Sequence, residues 1–304
     1  MTDPNTAVGD EFVGPFPSWI NIKTAYGAKG DGITDDTAAF QRALTDLGTA
    51  GHGNVLWIPA GTYKITSQLN LSSRLGVSII GEDPATTILK WAGPGVFSTD
   101  STTGSMFVVN GVAESRFDRL TFDGSGSPIV LVDQVWDGAS NYFPTGNEFA
   151  DDNFQNANIG IRGGVLGQGF AETSILRDHF TDLKVIGVIT MNYNALDAWV
   201  RDSVFDHDMN GVGDRVPNPD GSTYINGAGE VNVYNNIFRY STGADISIGN
   251  AAYSRYATTI REDQGDFLTP LQTTLQPTLP CRAIPYWIRP TLFRFSAEVP
   301  GRMS

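Results

Sequence analysis

The sequence predicts an all-β solenoid, and three features point there. A unit ending in a phenylalanine recurs about every 25 residues, only one segment has convincing helical periodicity, and 34 glycines punctuate 304 residues with no long Leu-, Lys- and Glu-rich tract. With 40% hydrophobic and 11% aromatic residues, the chain can bury the core of one large domain.

The elements follow in chain order. Residues 1–20 read as an N-terminal extension, and Met1–Asp10 contain no basic region followed by an apolar run, so no secretory leader is expected there. Asp35–Leu47 predicts a helix: Ala39, Phe40, Ala43, Leu44 and Leu47 share one side, Asp35 and Asp36 suit its positive end, and Gly48 stops it. Val55–Ile58, the Pro59-Ala60-Gly61 turn and Tyr63–Ile65 then read as strand, turn, strand. Between there and Tyr256 the sequence shows no second helix.

The recurring unit occupies that stretch. Its phenylalanines are Phe122, Phe154, Phe180, Phe205 and Phe238, separated by 32, 26, 25 and 33 residues, and the two long gaps contain turn-rich insertions. A polar turn and a short strand follow each of the last four: Ile159–Ile161, Ile186–Ile189, Gly211–Val212 and Asp245–Ile248. In a solenoid each coil buries its inward side chains against the coils above and below, so the phenylalanines should pile in one column. An exposed end must be covered, and the helix before the first strong strand stands where a cap belongs.

The segment from Tyr26-Gly27-Ala28-Lys29-Gly30-Asp31-Gly32 through Asp35-Asp36 to Phe40, with Gly53-Asn54-Val55 and Ile58-Pro59-Ala60-Gly61-Thr62-Tyr63, resembles the N-terminal signature of the pectate-lyase-like superfamily. About 45 residues carry it. The resemblance implies a right-handed parallel β-helix over residues 21–256 with an N-terminal capping α-helix. It also implies a polysaccharide partner, since the superfamily holds hydrolases, lyases, alginate epimerases and tailspike depolymerases, many of them trimeric, so a homotrimer is open. It says little about the reaction, because this segment builds the cap and first coil.

Residues 257–304 form an atypical tail. From 267 onward there are six prolines, four arginines and one acid, Glu298, and the phenylalanine unit has gone. Either a divergent C-terminal cap or a non-native end fits that break.

Thirty-three acids against 20 basic residues give a net charge of −13, which repels nucleic acid and anionic membranes, and no run of 18 apolar residues is present. The single cysteine, Cys281, excludes an internal disulfide and a cysteine-built metal site. The acidic, Asn/Thr/Gly-rich composition leans towards an extracellular or cell-surface protein.

Cleavage of a polysaccharide on such a scaffold needs two acids ~5 to 9.5 Å apart, or for β-elimination a base plus a cation to offset a uronate carboxylate. Strands stacked ~4.8 Å apart bring equivalent positions on neighbouring coils into that range. The catalytic candidates are Glu148, Asp151 and Asp152, where three acids in five residues would raise one another's pKa if they converge, together with Asp197 and Asp214. Tyr193 and Trp199 offer rings to stack on sugars, Arg201 offers charge, and Arg162, Thr190 and Asp214 align as a ladder on one sheet. Asp206-His207-Asp208 reads as a polar turn. The superfamily's polygalacturonase and alginate-epimerase motifs are absent, so no residue is carried over from them. No residue pattern assigns a cofactor; Ca²⁺ between aspartates of adjacent coils is open, without a calcium-loop spacing. The expectation is thus a glycoside hydrolase with paired Asp/Glu; a Ca²⁺-assisted lyase or epimerase on a uronate polymer, or a non-catalytic carbohydrate-binding or tailspike-like β-helix, are the alternatives.

Overall fold

The computed structural model describes residues 14–165, 170–191, 195–196, 198–213, 215–217, 224–226, 231–247 and 255–257. The predicted tail therefore lies outside the described residues from 258 onward, as do Cys281, residues 1–13 of the extension, and the candidates Tyr193, Asp197 and Asp214.

Three long sheets, of nine, eight and seven strands, take one strand in turn from each coil. All their pairings are parallel, so the chain climbs as a parallel β-solenoid and not as a series of hairpins. The nine-stranded sheet includes Arg116–Asp118, Glu148–Ala150, Ser174–Leu176, Ala198–Arg201 and Val231–Tyr234. Thr121–Asp123, Asn153–Gln155, His179–Thr181, Val204–Asp206 and Ile237–Arg239 belong to the eight-stranded sheet. The seven-stranded sheet includes Val130–Val135, Ile159–Gly163 and Ile186–Thr190.

The phenylalanine column forms as the spacing predicts. Phe122, Phe154, Phe180, Phe205 and Phe238 are register partners on successive strands. Their rings stack at centroid distances of 5.2, 5.0, 4.6 and 4.8 Å. A second stack, Phe117 on Phe149 at 4.6 Å, stands beside it on the nine-stranded sheet. Stacked rings in one column exclude water from the axis, and each pair adds ~0.5–1.5 kcal/mol beyond its area burial.

The corners between sheets follow one recipe. Arg119, Asp151, Arg177, Asp202 and Asn235 each adopt a left-handed backbone with φ between 50° and 62°, which turns the chain from the nine- to the eight-stranded sheet. The residue after each then points inward. Asp152 Oδ1 accepts from Leu120 N at 2.7 Å, Asp178 Oδ1 from Asp152 N at 2.8 Å, Ser203 Oγ from Asp178 N at 3.1 Å and Asn236 Oδ1 from Ser203 N at 2.9 Å. These side chains satisfy backbone amides that the turn removes from the strand ladders.

The predicted helix spans Thr37–Asp46 and buries Ala39, Phe40, Ala43 and Leu44. It packs on the first coil, with Phe40 against Tyr63 at 5.2 Å and Gln41 bonded both ways to the backbone of Asn70. Its start differs from expectation: Asp36 makes no cap bond, because its buried carboxylate accepts from Lys29 N and Gly30 N at 2.7 and 2.9 Å. Asp35 accepts from Thr37 N instead. A short second helix, Ile22–Tyr26, was not foreseen; Asn21 caps it through Lys23 N and Thr24 N, and Gly27 ends it at φ 80°. Five residues are too few to show helical periodicity.

Candidate functional site

Side chains alternate along a strand, so the inward residues of the nine-stranded sheet define what faces out. Phe117, Phe149, Ile175, Val200 and Val233 all join the interior cluster. Their neighbours therefore form two outer columns. In one, Arg116, Glu148, Ser174, Trp199 and Asn232 are register partners; in the other, Asp118, Ala150, Leu176, Arg201 and Tyr234 are. The expected residues Glu148, Trp199 and Arg201 thus share one face.

Two residues that sequence reasoning missed complete it. Asp118 is 6% exposed, and its Oδ1 has no hydrogen-bond partner. Arg116 Nε lies 3.3 Å from Asp118 Oδ2 and 3.4 Å from Glu148 Oε1, so one guanidinium bridges two carboxyl groups from adjacent strands. Those two distances keep the carboxyl oxygens well inside the ~9.5 Å limit for acid pairs that cleave glycosidic bonds. Burial pushes the Asp118 carboxyl up to about 6; Arg116 opposes this, Asp151 reinforces it, and Arg119 and Arg177 pull it back. A carboxyl so placed can hold a proton in mildly acidic solution and give it to a leaving oxygen. The alternation around Phe117 was the available signal, since Arg116 and Asp118 flank it as Glu148 and Ala150 flank Phe149.

The acid cluster 148–152 does not converge. Glu148 faces out towards Arg116, whereas Asp151 sits at the left-handed corner and takes a two-pronged contact from Arg177, with nitrogen–oxygen distances of 2.7 and 2.6 Å. Asp152 is turned inside at 1% exposure. The corner geometry sends three neighbouring acids in three directions, which removes Asp152 from the outer face and gives it the hydrogen-bonding role described above.

The expected ladder of Arg162, Thr190 and Asp214 also changes. Arg162 pairs with Ile189, and Thr190 with Gly163, a shift of one residue that exchanges the two faces of a strand. Thr190 is 1% exposed, in register through Gly163 with the buried Gln134. Arg162 is fully buried: Asp133 accepts from its Nε and Nη2 at 2.6 and 2.7 Å, and the Ser98 and Ser101 carbonyls accept at 2.5 and 2.8 Å. Ser105 Oγ also donates to Asp133. Arg162 therefore pins the loop 92–104 against the seven-stranded sheet and is closed to a sugar chain. The Asp206-His207-Asp208 turn forms as read, with His207 at φ 58° and Asp208 buried. Among the described residues no group of three or more His, Cys, Asp or Glu side chains is arranged to hold a metal ion.

Residues 19–126 match the family model described as rhamnogalacturonase A/epimerase, pectate lyase-like. The chain is 27% identical over 244 residues to mannuronan C5-epimerase AlgE1 of Azotobacter vinelandii, covering 77% of this chain and 16% of that protein. It is 29% identical over 114 residues to the K30/K69-specific capsule depolymerase 1 of Klebsiella phage K5-2, covering 37% of this chain and 13% of that protein. The chain thus spans under a fifth of the length of either relative. Among solved structures, the phiAB6 tailspike, in complex with oligosaccharides of an Acinetobacter baumannii surface polysaccharide, aligns at 16% identity and a TM-score of 0.38 over 79% of this chain and 47% of that one.

Proposed function

We propose that this chain, a pectate-lyase-like parallel β-helix, processes an extracellular or cell-surface polysaccharide on the outer face of its nine-stranded sheet, by glycoside hydrolysis. Asp118 acts as general acid, and Glu148, across the Arg116 guanidinium, acts as nucleophile or as the base that activates water. The observation that supports this reading is the near-complete burial of a carboxyl with one partnerless oxygen beside a second, more exposed carboxyl. Burial shifts the first towards its protonated form while the second remains partly open to solvent. Arg201 and Trp199, on the same face, would bind and stack the chain.

A uronate reading has its own support. Arg116, Arg177 and Arg201 can offset uronate carboxylates, and the resemblance to mannuronan epimerases extends over most of the chain. Incubation with neutral and uronate polymers separates the chemistries: hydrolysis releases reducing ends, elimination adds ultraviolet-absorbing unsaturated ends, and epimerisation changes the C5 signals in the proton spectrum without shortening the polymer. Asp118→Asn should lose turnover ~100-fold or more with unchanged circular dichroism. Full turnover in that variant would overturn the assignment.

A further inference from the structure

The column that carries Asp118 continues towards the N-terminus. Asn21, Trp57, Ile80 and Asp118 are successive register partners, and Leu56, Ile58 and Ile79 point inside, so Trp57 and Ile80 floor the same outer face. Trp57 is 4% exposed, with the Trp19 ring 5.8 Å from its own. Phe16 stands edge-on to Trp19 at 5.3 Å and is 49% exposed, while Trp19 itself is partly open to solvent. Three aromatic rings therefore build outward from the sheet, and the outermost is half bare.

We propose that Trp19 and Phe16, over Trp57 two strands from Asp118, form a sugar-stacking subsite for the polysaccharide chain. Strands ~4.8 Å apart put Trp57 about 10 Å from Asp118, roughly the advance of two pyranose units along a glycan laid parallel to the solenoid axis. The apolar C–H face of a pyranose packs on an aromatic ring as any hydrocarbon surface does, and an exposed ring held edge-on by its neighbours loses little side-chain freedom on binding. Trp199 lies two strands beyond Glu148 on the opposite side. The acid pair is thus flanked by aromatic residues on both sides, an arrangement for gripping a polymer in its middle. The inference rests on the outer face being the polysaccharide site, and it adds where the chain is held and the expectation that a long chain binds more tightly than a disaccharide.

The test uses the full chain in affinity gels cast with polymannuronate, polygalacturonate, xylan or hydroxyethylcellulose, alongside turnover of the same polymers and of their disaccharides. At least one polymer should retard the wild type. Phe16→Ala and Trp19→Ala should weaken that retention, each by roughly three- to tenfold. Trp19→Phe should restore most of it. Turnover of the polymer should show a raised KM with kcat nearly unchanged, and disaccharide turnover should not move. Because Trp19 touches Trp57, circular dichroism and melting of each variant accompany the measurement; Phe16→Ala, at an exposed ring, carries the test if Trp19→Ala unfolds. Retention of Phe16→Ala and Trp19→Phe indistinguishable from wild type, together with undiminished binding by a folded Trp19→Ala, would sink the subsite while leaving the acid pair standing. Retention that depends on these rings without turnover of any polymer would support the subsite and remove the hydrolytic reading. Absence of retardation by all four polymers overturns the subsite.

Discussion

Asp118 stays protonated into mildly acidic solution because burial outweighs the three arginines around it. Its folded value, about 6, lies above that of an ordinary carboxyl. A general acid must carry its proton to work, so turnover should fall as pH rises through that value. Arg116 lowers the Asp118 pKa, so removing the guanidinium should raise it further. Arg116→Gln should therefore move the falling limb of the kcat/KM profile to higher pH, whatever it does to the plateau. A limb unmoved in that variant would mean another group governs it. Residue chemistry alone would not have picked out Asp118. The alternation around Phe117 sets Arg116 and Asp118 facing out but marks neither as reactive; Asp118 owes its character to burial first and to Arg116 beside it, and the next strand brings Glu148 opposite.

At the scale of elements, the repeating unit was legible because a solenoid makes each coil solve the same packing problem, and phenylalanine is the solution this chain repeats. Phe180, between Phe154 and Phe205, is stacked on both sides and fully buried. Phe180→Ala should cost ~3–5 kcal/mol of stability, measurable by denaturant titration, because its neighbours are strands that cannot collapse into the gap. A loss under about 1 kcal/mol would mean the column is not continuous. Register was less legible. Placing Arg162 level with Thr190 was wrong by one residue, and in a strand that error exchanges inside for outside. The loop 92–104, which covers Arg162, comes from some 60 residues earlier in the chain, and no local pattern announces it.

For the molecule as a whole, buried acids line the turns. Asp152 and Asp178 occupy one corner, each with one oxygen unpartnered, and burial raises both well above the ordinary carboxyl; their proximity adds to the effect at Asp152, while Asp151 and Asp118 act on both and Arg177 opposes at Asp178. Asp208, in the next corner, is raised to about 8, first by burial and then by Asp182 and Asp206, against the amide bond from Leu183. Since folding favours the protonated form of each, the stability they contribute is fully present below the unfolded value of ~3.9 and is lost as pH rises through the folded values. The melting temperature should therefore fall between about pH 4 and pH 8. Asp152→Asn, Asp178→Asn and Asp208→Asn together should flatten that decline and raise the melting temperature at pH 8, and a triple variant with the wild-type slope would refute it. The solenoid was readable from the residues alone, because coil-long periodicity and, from Phe122 to Phe238, an inward phenylalanine are demands that successive turns make locally and in the same way. Which acids became buried rungs and which became a facing pair was decided only by the tertiary structure, since a left-handed residue at each corner rotates the next side chain, and the strand stacked above it decides what that side chain meets.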